Sequence, residues 1–123
     1  MIMEKTVVFY DNEGCPIAYM DDGEHIYLFS GETKAYISEG VVYRYDGCPI
    51  GWYEDGWVRD LDGYCVFFTD NATGCGPSIP SRHSLPSRAS RYSIPPRYSV
   101  RPIRSRGPNR NSWSSKSGIG FLN

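Results

Sequence analysis

Four cysteines and two histidines are the side chains in this sequence of 123 residues that could hold a metal ion or act as nucleophiles. A zinc site uses four thiolate or imidazole ligands, which commonly come in local pairs such as C-x2-C. No such pair occurs among Cys15, Cys48, Cys65 and Cys75. We therefore expect buried or turn-packed thiols and no metal or other cofactor. A metal site and a disulfide are the alternatives.

The histidines, serines and carboxylates give little support to catalysis. His25 and His83 lie far apart, and no serine or cysteine occurs in a motif that would activate it. Turn formation explains the carboxylates that adjoin a glycine, because such side chains accept hydrogen bonds from the turn backbone. These carboxylates are Asp22, Glu39, Asp46, Asp55 and Asp62. A general acid–base pair among them is the alternative, and the sequence predicts a protein that is not an enzyme.

Charge divides the chain into two parts. Residues 1–76 contain fourteen acidic and four basic residues, a net charge of −10, whereas residues 77–123 contain nine basic residues and no acidic one. Composition changes at the same boundary, since serine, proline and arginine dominate from Pro77 onwards. We predict an acidic domain over 1–76 and a basic extended tail over 77–123.

The acidic part is a fourfold repeat. One glycine series begins a new unit every 16 or 17 residues and consists of Gly14, Gly31, Gly47 and Gly63. A second glycine series closes the units and consists of Gly23, Gly40, Gly56 and Gly74. When Val7, Ile26, Val42 and Val58 are aligned, the first unit fits if its loop, DNEG, is two residues longer than the others.

Each unit predicts a strand, a turn, a second strand and a second turn. Asp46-Gly47 and Asp62-Gly63 are typical of a type I′ turn, which requires positive φ at both central residues. Runs such as IYLF, VVYRY and CVFFT are β-branched and aromatic, as half-buried strands are. An isolated hairpin is marginally stable in water, so each must bury its apolar face against the others. We predict an all-β fold of four sequential hairpins, with eight short antiparallel strands in a pseudo-fourfold ring that hides the sheet edges.

Small residues mark the expected centre of the ring. Ala18, Ala35 and Gly51 recur at one position of the repeat, where four large side chains could not meet. Phe67 takes this position in the fourth unit, and we predict that it fills the centre.

The tail has a period of three residues. Serine or proline occurs at every third position from Ser78 to Pro108, and a second series mixes aliphatic residues with arginine. A polyproline II helix has three residues per turn, so each series would form one face. In our hypothesis aliphatic residues of the second face enter apolar grooves on the acidic domain of the same or a neighbouring chain, and arginines set the register. The predicted anchors are Ile79, Leu85, Arg88, Arg91, Ile94, Arg97, Val100 and Ile103.

The motifs GCPIAY, GCPIGWYEDGWVRD and GYCVFFTDNATG resemble the four-fold β-flower domain. The resemblance covers about Val7 to Pro77 and implies a ring of four hairpin petals. It implies no assigned activity, so no catalytic residue is carried over. The second unit departs from the pattern, with Thr33 where the first and third units have Pro16 and Pro49.

These features predict a small structural or interaction module whose partner is itself, through tail docking within one chain or in a homo-oligomer. One alternative is nucleic-acid binding, because the nine cations of the tail are interspersed with Tyr92, Tyr98 and Trp113. Another is a carbohydrate or choline-like ligand between aromatic hairpins. The N-terminus lacks the pattern of a secretory signal, and no apolar run reaches ~18 residues. We therefore expect a cytoplasmic protein that does not contact a membrane.

Overall fold

The chain forms a closed barrel of eight antiparallel strands in a computed structural model, which describes residues 6–103 and 105–122. Every strand pairs with its neighbours in sequence, and Tyr10 of the first strand pairs with Phe68 of the last to close the barrel. The predicted fold class is confirmed. The elements are β1 (Val7–Tyr10), β2 (Pro16–Met20), β3 (His25–Leu28), β4 (Thr33–Ser38), β5 (Val41–Arg44), β6 (Pro49–Glu54), β7 (Trp57–Asp60), β8 (Cys65–Phe68) and a 3-10 helix, Ile119–Leu122.

The four hairpin loops, which join β1 to β2, β3 to β4, β5 to β6 and β7 to β8, share one turn geometry. In the third hairpin, the Gly47 N–H donates to the Arg44 carbonyl at 3.0 Å and the Arg44 N–H donates to the Cys48 carbonyl at 2.9 Å. Gly47 has a φ of +89°, whereas Asp46 does not have positive φ. This is a type I turn followed by a glycine bulge. The type I′ turns predicted at Asp46-Gly47 and Asp62-Gly63 are therefore wrong.

Type I′ turns occur instead between the hairpins. Glu39 and Asp55 have φ of 51° and 53°, and the glycine that follows each of them also has positive φ. Their connections are two residues long, and a two-residue loop matches the strand twist only when both residues are left-handed. Loop length, rather than the Asp-Gly pair itself, decides which turn forms.

The first hairpin has a loop of the same length as the others. The core-facing residue lies five positions before the loop glycine in every unit, at Phe9, Ile26, Val42 and Val58. The alignment that began with Val7 was therefore two residues out of register. The first unit is one residue longer than the second and third, with 17 rather than 16 residues between loop glycines. The added length lies at the β2–β3 connection, where four residues replace the two-residue turns found at the β4–β5 and β6–β7 connections, and β2 is one residue shorter than β4 and β6.

The barrel core is filled from both ends of the sequence. Phe67 is 1% exposed, and its ring centroid lies 6.1 Å from that of Phe9 and 5.8 Å from that of Phe121. The Phe121 ring occupies the space beside Gly51, where an added Cβ would lie 3.1 Å from it. Leu122 is also buried in this cluster. The space left by the small residues therefore holds Phe67 together with the end of the tail, although the sequence assigned the tail to a separate region.

Candidate functional site

The tail runs around the outside of the barrel at the end that carries the four hairpin loops. We call its extended part, residues 77–103 and 105–112, the belt. Because hairpin loops alternate with connections along an antiparallel barrel, all four loops lie at one end, which we call the loop end. The belt contacts the loops in the order in which they occur in the chain.

Every hairpin loop holds the belt in the same way. Backbone N–H groups nine residues apart donate to the carbonyls of the four loop glycines at 2.9–3.1 Å, with His83, Tyr92, Arg101 and Arg110 as donors to Gly14, Gly31, Gly47 and Gly63. On each glycine lies a belt carbonyl so close that a Cβ would overlap it, from Ser81, Ser90, Ser99 and Pro108. Positive φ and this close approach both require glycine. Nine residues are three turns of a polyproline II helix, so one hairpin matches three turns of the belt.

Arginines nine residues apart extend from the belt onto the barrel wall. The guanidinium carbons of Arg88, Arg97 and Arg106 lie over aromatic rings of β2, β4 and β6, at 4.1 Å from Tyr19, 3.9 Å from Tyr36 and 5.4 Å from Trp52. These rings are 1–8% exposed. A cation over an aromatic face is worth ~0.5–1 kcal/mol when exposed and ~2 kcal/mol when desolvated.

Carboxylates complete these arginine positions. Arg97 Nη2 donates to Glu24 Oε2 at 2.5 Å, Arg106 pairs with Glu54, and Arg88 Nη1 lies 3.9 Å from Asp21 Oδ2. Each position thus combines a flat ring with a nearby negative charge. A planar guanidinium satisfies both at once, because it stacks on the ring and donates to the carboxylate.

Arg91 adds a second contact between the first and second hairpins. Its guanidinium lies 4.0 Å from the Tyr27 ring centroid, and its Nε donates to the Tyr19 hydroxyl at 3.1 Å. The hydrogen bond with Tyr19 and the ion pair with Asp21 raise the pKa of Arg91. Arg82, nine residues earlier, lies over Tyr10 at 5.7 Å.

The fourth hairpin differs, because it holds both ends of the belt through Arg59. This side chain is 2% exposed. Its Nη1 donates to the carbonyls of Gly63 and Arg110, both at 2.9 Å, and its Nη2 donates to the Cys75 carbonyl. Cys75 precedes the belt and Arg110 lies near its end. One guanidinium therefore ties the start and the finish of the belt to one loop.

Further hydrogen bonds fix each end of the belt on the fourth hairpin. The Trp57 indole N–H donates to the Thr73 carbonyl at 3.0 Å. At the other end, the Ser114 N–H donates to the Cys65 carbonyl at 2.7 Å, and the Ser114 hydroxyl donates to Asp60 Oδ2 at 2.6 Å. The chain then turns into the barrel mouth.

The predicted tail anchors fall into two groups. Arg88, Arg91 and Arg97 stack on tyrosines as described above. The predicted aliphatic anchors do not enter closed grooves: Ile79, Leu85, Ile94 and Val100 are 46–53% exposed, and Ile103 is partly buried. The physical reason is that the wall beneath the belt presents aromatic faces beside carboxylates, which suit a guanidinium better than an alkyl group.

His25 is a titratable side chain that contacts several polar groups at the belt. Its Nδ1 lies 2.7 Å from Asp22 Oδ2, and its Nε2 lies 3.2 Å from both Glu24 Oε2 and Arg97 Nη2. Although partial burial acts to raise the pKa of Asp22, hydrogen bonds from the backbone and ring of His25 lower it overall. This arrangement orients Arg97.

Two of the four cysteines have a raised thiol pKa. Burial raises the pKa of Cys65 to about 11, which keeps it a thiol and a poor nucleophile. Burial also raises the pKa of Cys15, followed by the charges of Asp11 and Glu13. Among residues 6–103 and 105–122, no three His, Cys, Asp or Glu side chains are grouped as metal ligands.

Sequence reasoning missed three features of this site: the nine-residue repeat, Arg59 and Phe121. The repeat left a readable signal, because Arg88, Arg97 and Arg106 are nine apart, as are Leu85, Ile94 and Ile103. Arg59 left none, since its partners are backbone carbonyls that are distant in sequence.

Comparison with known proteins identifies a family. A family model described as 4-fold beta flower protein matches residues 7–122. The match extends through the belt to the residues that fill the barrel mouth, well beyond Pro77, where the sequence motifs ended. No curated protein and no solved structure matches the chain significantly. Within the described residues, none of the helical structure has the length and apolarity needed to span a membrane.

Proposed function

This chain belongs to the 4-fold beta flower protein family, and from that premise we propose that it is a non-enzymatic interaction module that binds its own tail as a belt. The family fits a small structural module and is not known as enzymatic. The belt repeats the same contacts with the barrel at each hairpin, so the proposal assigns the function to it.

The observation that carries this proposal is the double attachment of the belt to Arg59. The carbonyls of Cys75 and Arg110 both accept from this buried side chain. A belt that starts and ends on one hairpin of the same chain closes around the barrel in cis. Tethering gives such a segment an effective concentration of order mM, so an outside competitor starts at a disadvantage.

Repetition, rather than any single contact, would hold the belt. Exposed ion pairs such as Arg106 with Glu54 are worth only ~0–1 kcal/mol each. Backbone hydrogen bonds contribute a net ~0.5–1.5 kcal/mol each, and the glycine clamp occurs four times. The arginines also offset the charge of the acidic domain, which is −10 over residues 1–76.

Trypsin tests whether the belt is bound and whether it is bound in cis. The belt contains many arginines, and an extended segment is cut quickly when it is free. We expect slow cleavage in the native chain, rapid cleavage in urea, and protection that does not change on dilution. Rapid cleavage without urea would overturn the proposal, and protection that vanishes on dilution would show binding between chains instead.

The other ligands suggested by the sequence have weaker support. Arg88, Arg91 and Arg97 already stack on the protein's own rings, which leaves fewer cations for phosphate. The same stacking covers the aromatic faces that a sugar or choline group would use. Filter binding with single-stranded DNA at two salt concentrations tests the first alternative, because phosphate contacts predict a steep loss of affinity with salt. The cytoplasm remains the proposed location, in keeping with four free thiols.

A further inference from the structure

The nine-residue repeat of the belt has an isoleucine where its later units have a stacked arginine. Ile79 lies nine residues before Arg88, and Arg97 and Arg106 follow at the same interval. Each of these three arginines lies over an aromatic ring of the barrel wall, with a carboxylate nearby. The first position of the series is therefore filled by a neutral side chain, which is 48% exposed.

The barrel wall at this first position provides the same ring as the later positions. Phe68 of β8 takes the place that Tyr19 of β2 has in the repeat. The Phe68 ring stacks on that of Tyr10 with centroids 5.2 Å apart. Tyr19 stacks on Tyr27 in the same way, at 5.6 Å. The β8–β1 junction thus repeats the aromatic pair of the β2–β3 junction.

The wall also repeats the carboxylate. Asp70 lies two residues after the β8 ring, as Asp21 lies two residues after the β2 ring. Asp21 pairs with Arg91 and also lies 3.9 Å from Arg88 Nη1, so one carboxylate at this place serves two guanidinium groups. Before Arg88 the belt contains one arginine, Arg82, which corresponds to Arg91 in the repeat. The β8–β1 junction therefore has one guanidinium group fewer than the β2–β3 junction.

A surface cavity of about 210 Å³ lies between Ile79 and the end of β8. Its lining includes the ring of Phe68, the carboxylate-bearing Asp70 and the single arginine, Arg82. Four non-hydrogen atoms at ~30 Å³ each need roughly 120 Å³, so a guanidinium group fits in this space.

We propose that this cavity binds a guanidinium group from outside the chain. Its N–H groups donate to the Asp70 carboxylate while its plane stacks on the Phe68 ring, which repeats the combination found at the later positions. Because the Phe68 ring is 1% exposed, stacking requires the half-exposed Ile79 side chain to turn aside. The inference rests on the proposed function, since the bound belt supplies Ile79 and Arg82 to the cavity.

An NMR titration of the isotope-labelled full chain with N-butylguanidine tests the proposal. One stacked ring and one exposed ion pair bind weakly, so we expect a dissociation constant on the order of 1 mM and titrate to about 20 mM. Amide shifts should change at Thr69, Asp70 and Ala72, which adjoin the cavity. Butylamine has the same alkyl chain on an ammonium group that cannot stack, and it should bind at least about tenfold more weakly.

Two substitutions should remove the site. Ile79→Arg places a guanidinium group of the belt itself in the cavity, and Asp70→Asn removes the carboxylate. Each should raise the dissociation constant at least about tenfold. Ile94→Arg is the matched control, because Ile94 lies in the same Ser-Ile-Pro sequence and is 46% exposed, but lies apart from the series of stacked arginines. This control should bind N-butylguanidine as the native chain does.

A blocked peptide with one central arginine, acetyl-Gly-Arg-Gly-amide, identifies the source of the group. Tighter binding of the peptide than of N-butylguanidine supports an arginine of another polypeptide. Weaker binding of the peptide supports a small guanidinium compound.

A native chain that binds neither compound, or that binds butylamine as tightly as N-butylguanidine, would overturn the proposal. Binding that survives both Ile79→Arg and Asp70→Asn would overturn it as well. Trypsin resistance, measured before the ligand is added, reports separately on the belt. A protected belt without binding refutes only this site, whereas an unprotected belt refutes the proposed function.

Discussion

Substitution of Gly47 by alanine separates the contribution of the belt from that of the turn. Gly47 has a φ of +89°, and a Cβ there would overlap the Ser99 carbonyl oxygen. Gly40 provides the matched control. Its φ is +79°, but a Cβ there would lie 3.7 Å from the Tyr53 carbonyl oxygen, which is ordinary van der Waals contact. Both changes strain a left-handed residue, and Gly47→Ala alone also displaces the belt.

The expected magnitudes follow from these geometries. An L-residue in the left-handed region costs ~1–2 kcal/mol, which applies to both variants. Gly47→Ala must also move the belt away from Ser99, which breaks the bond from the Arg101 N–H to the Gly47 carbonyl. That bond is worth ~0.5–1.5 kcal/mol net, and neighbouring belt contacts weaken with it. We expect Gly47→Ala to lose about 1–2 kcal/mol more than Gly40→Ala, or roughly 3–10 °C in Tm for a chain of this size.

Thermal unfolding by circular dichroism measures this difference, and trypsin digestion at 25 °C assigns it. Belt cleavage should accelerate in Gly47→Ala and stay at the native rate in Gly40→Ala. Equal losses of Tm in the two variants, with equal trypsin resistance, would refute the belt clamp. Gly31→Ala repeats the test at the second hairpin, where the Ser90 carbonyl takes the place of that of Ser99.

Three further substitutions test the attachment of the belt to Arg59, the packing of the core and the loss of stability at low pH. Arg59→Met removes three hydrogen bonds from a charged donor, each worth ~1.5–3 kcal/mol. Urea unfolding should therefore show a loss of more than about 3 kcal/mol in the free energy of unfolding, together with rapid trypsin cleavage of the belt. A loss below about 1 kcal/mol would contradict the attachment of both belt ends to Arg59. Phe121→Ala should reduce the free energy of unfolding in urea by ~3–5 kcal/mol, because it empties the space beside Gly51. Ile119→Ala, at a nearby exposed residue, should change it by no more than ~0.5 kcal/mol. Similar effects of the two substitutions would disprove the buried position of Phe121. The pKa of Asp22 is lowered, so its ionised form stabilises the fold above its unfolded pKa of ~3.9, and this stability is lost as pH falls through the lower folded pKa. In Asp22→Asn, Tm should therefore be reduced near pH 7 and should fall less between pH 5 and pH 2. An unchanged pH profile of Tm would count against the Asp22–His25 contact.

The repeat made the barrel predictable from sequence. The recurring glycines, the small residues at one position of the repeat and the aromatic strands are local signals. Their recurrence over four units leaves few ways to close an eight-stranded sheet. The turn types were not predictable from the Asp-Gly pairs, because Asp46-Gly47 fits both a two-residue turn and a longer loop with a glycine bulge. Register decides between them, and register depends on which strand residues face the core. Aligning Val7 rather than Phe9 with Ile26, Val42 and Val58 produced the error in the first unit.

The candidate site was predictable in part. A period of three was visible in the tail because the extended helix itself has that period. The contacts show a longer period of nine in the belt, which the sequence analysis did not predict. Aliphatic residues and arginines alternate in one series of the period of three, and composition does not say which of them contacts the barrel wall. Phe121 lies more than fifty residues from Phe67, so no local pattern connects the two sides of the core.

The fourth hairpin shows why a symmetric ring must break its symmetry once. At the first two junctions between hairpins, tyrosine faces tyrosine across the strands, as Tyr36 does with Tyr43. At the third junction Arg59 takes the second position, opposite Trp52. A belt that encircles the barrel must begin and end at one place. Several backbone carbonyls that accept no hydrogen bond from a neighbouring strand converge there. A tyrosine hydroxyl donates one hydrogen bond, whereas a guanidinium has five N–H donors in a fixed fork. Arginine therefore suits the place where the two ends of the belt meet, and tyrosine suits the junctions where the belt continues without an end.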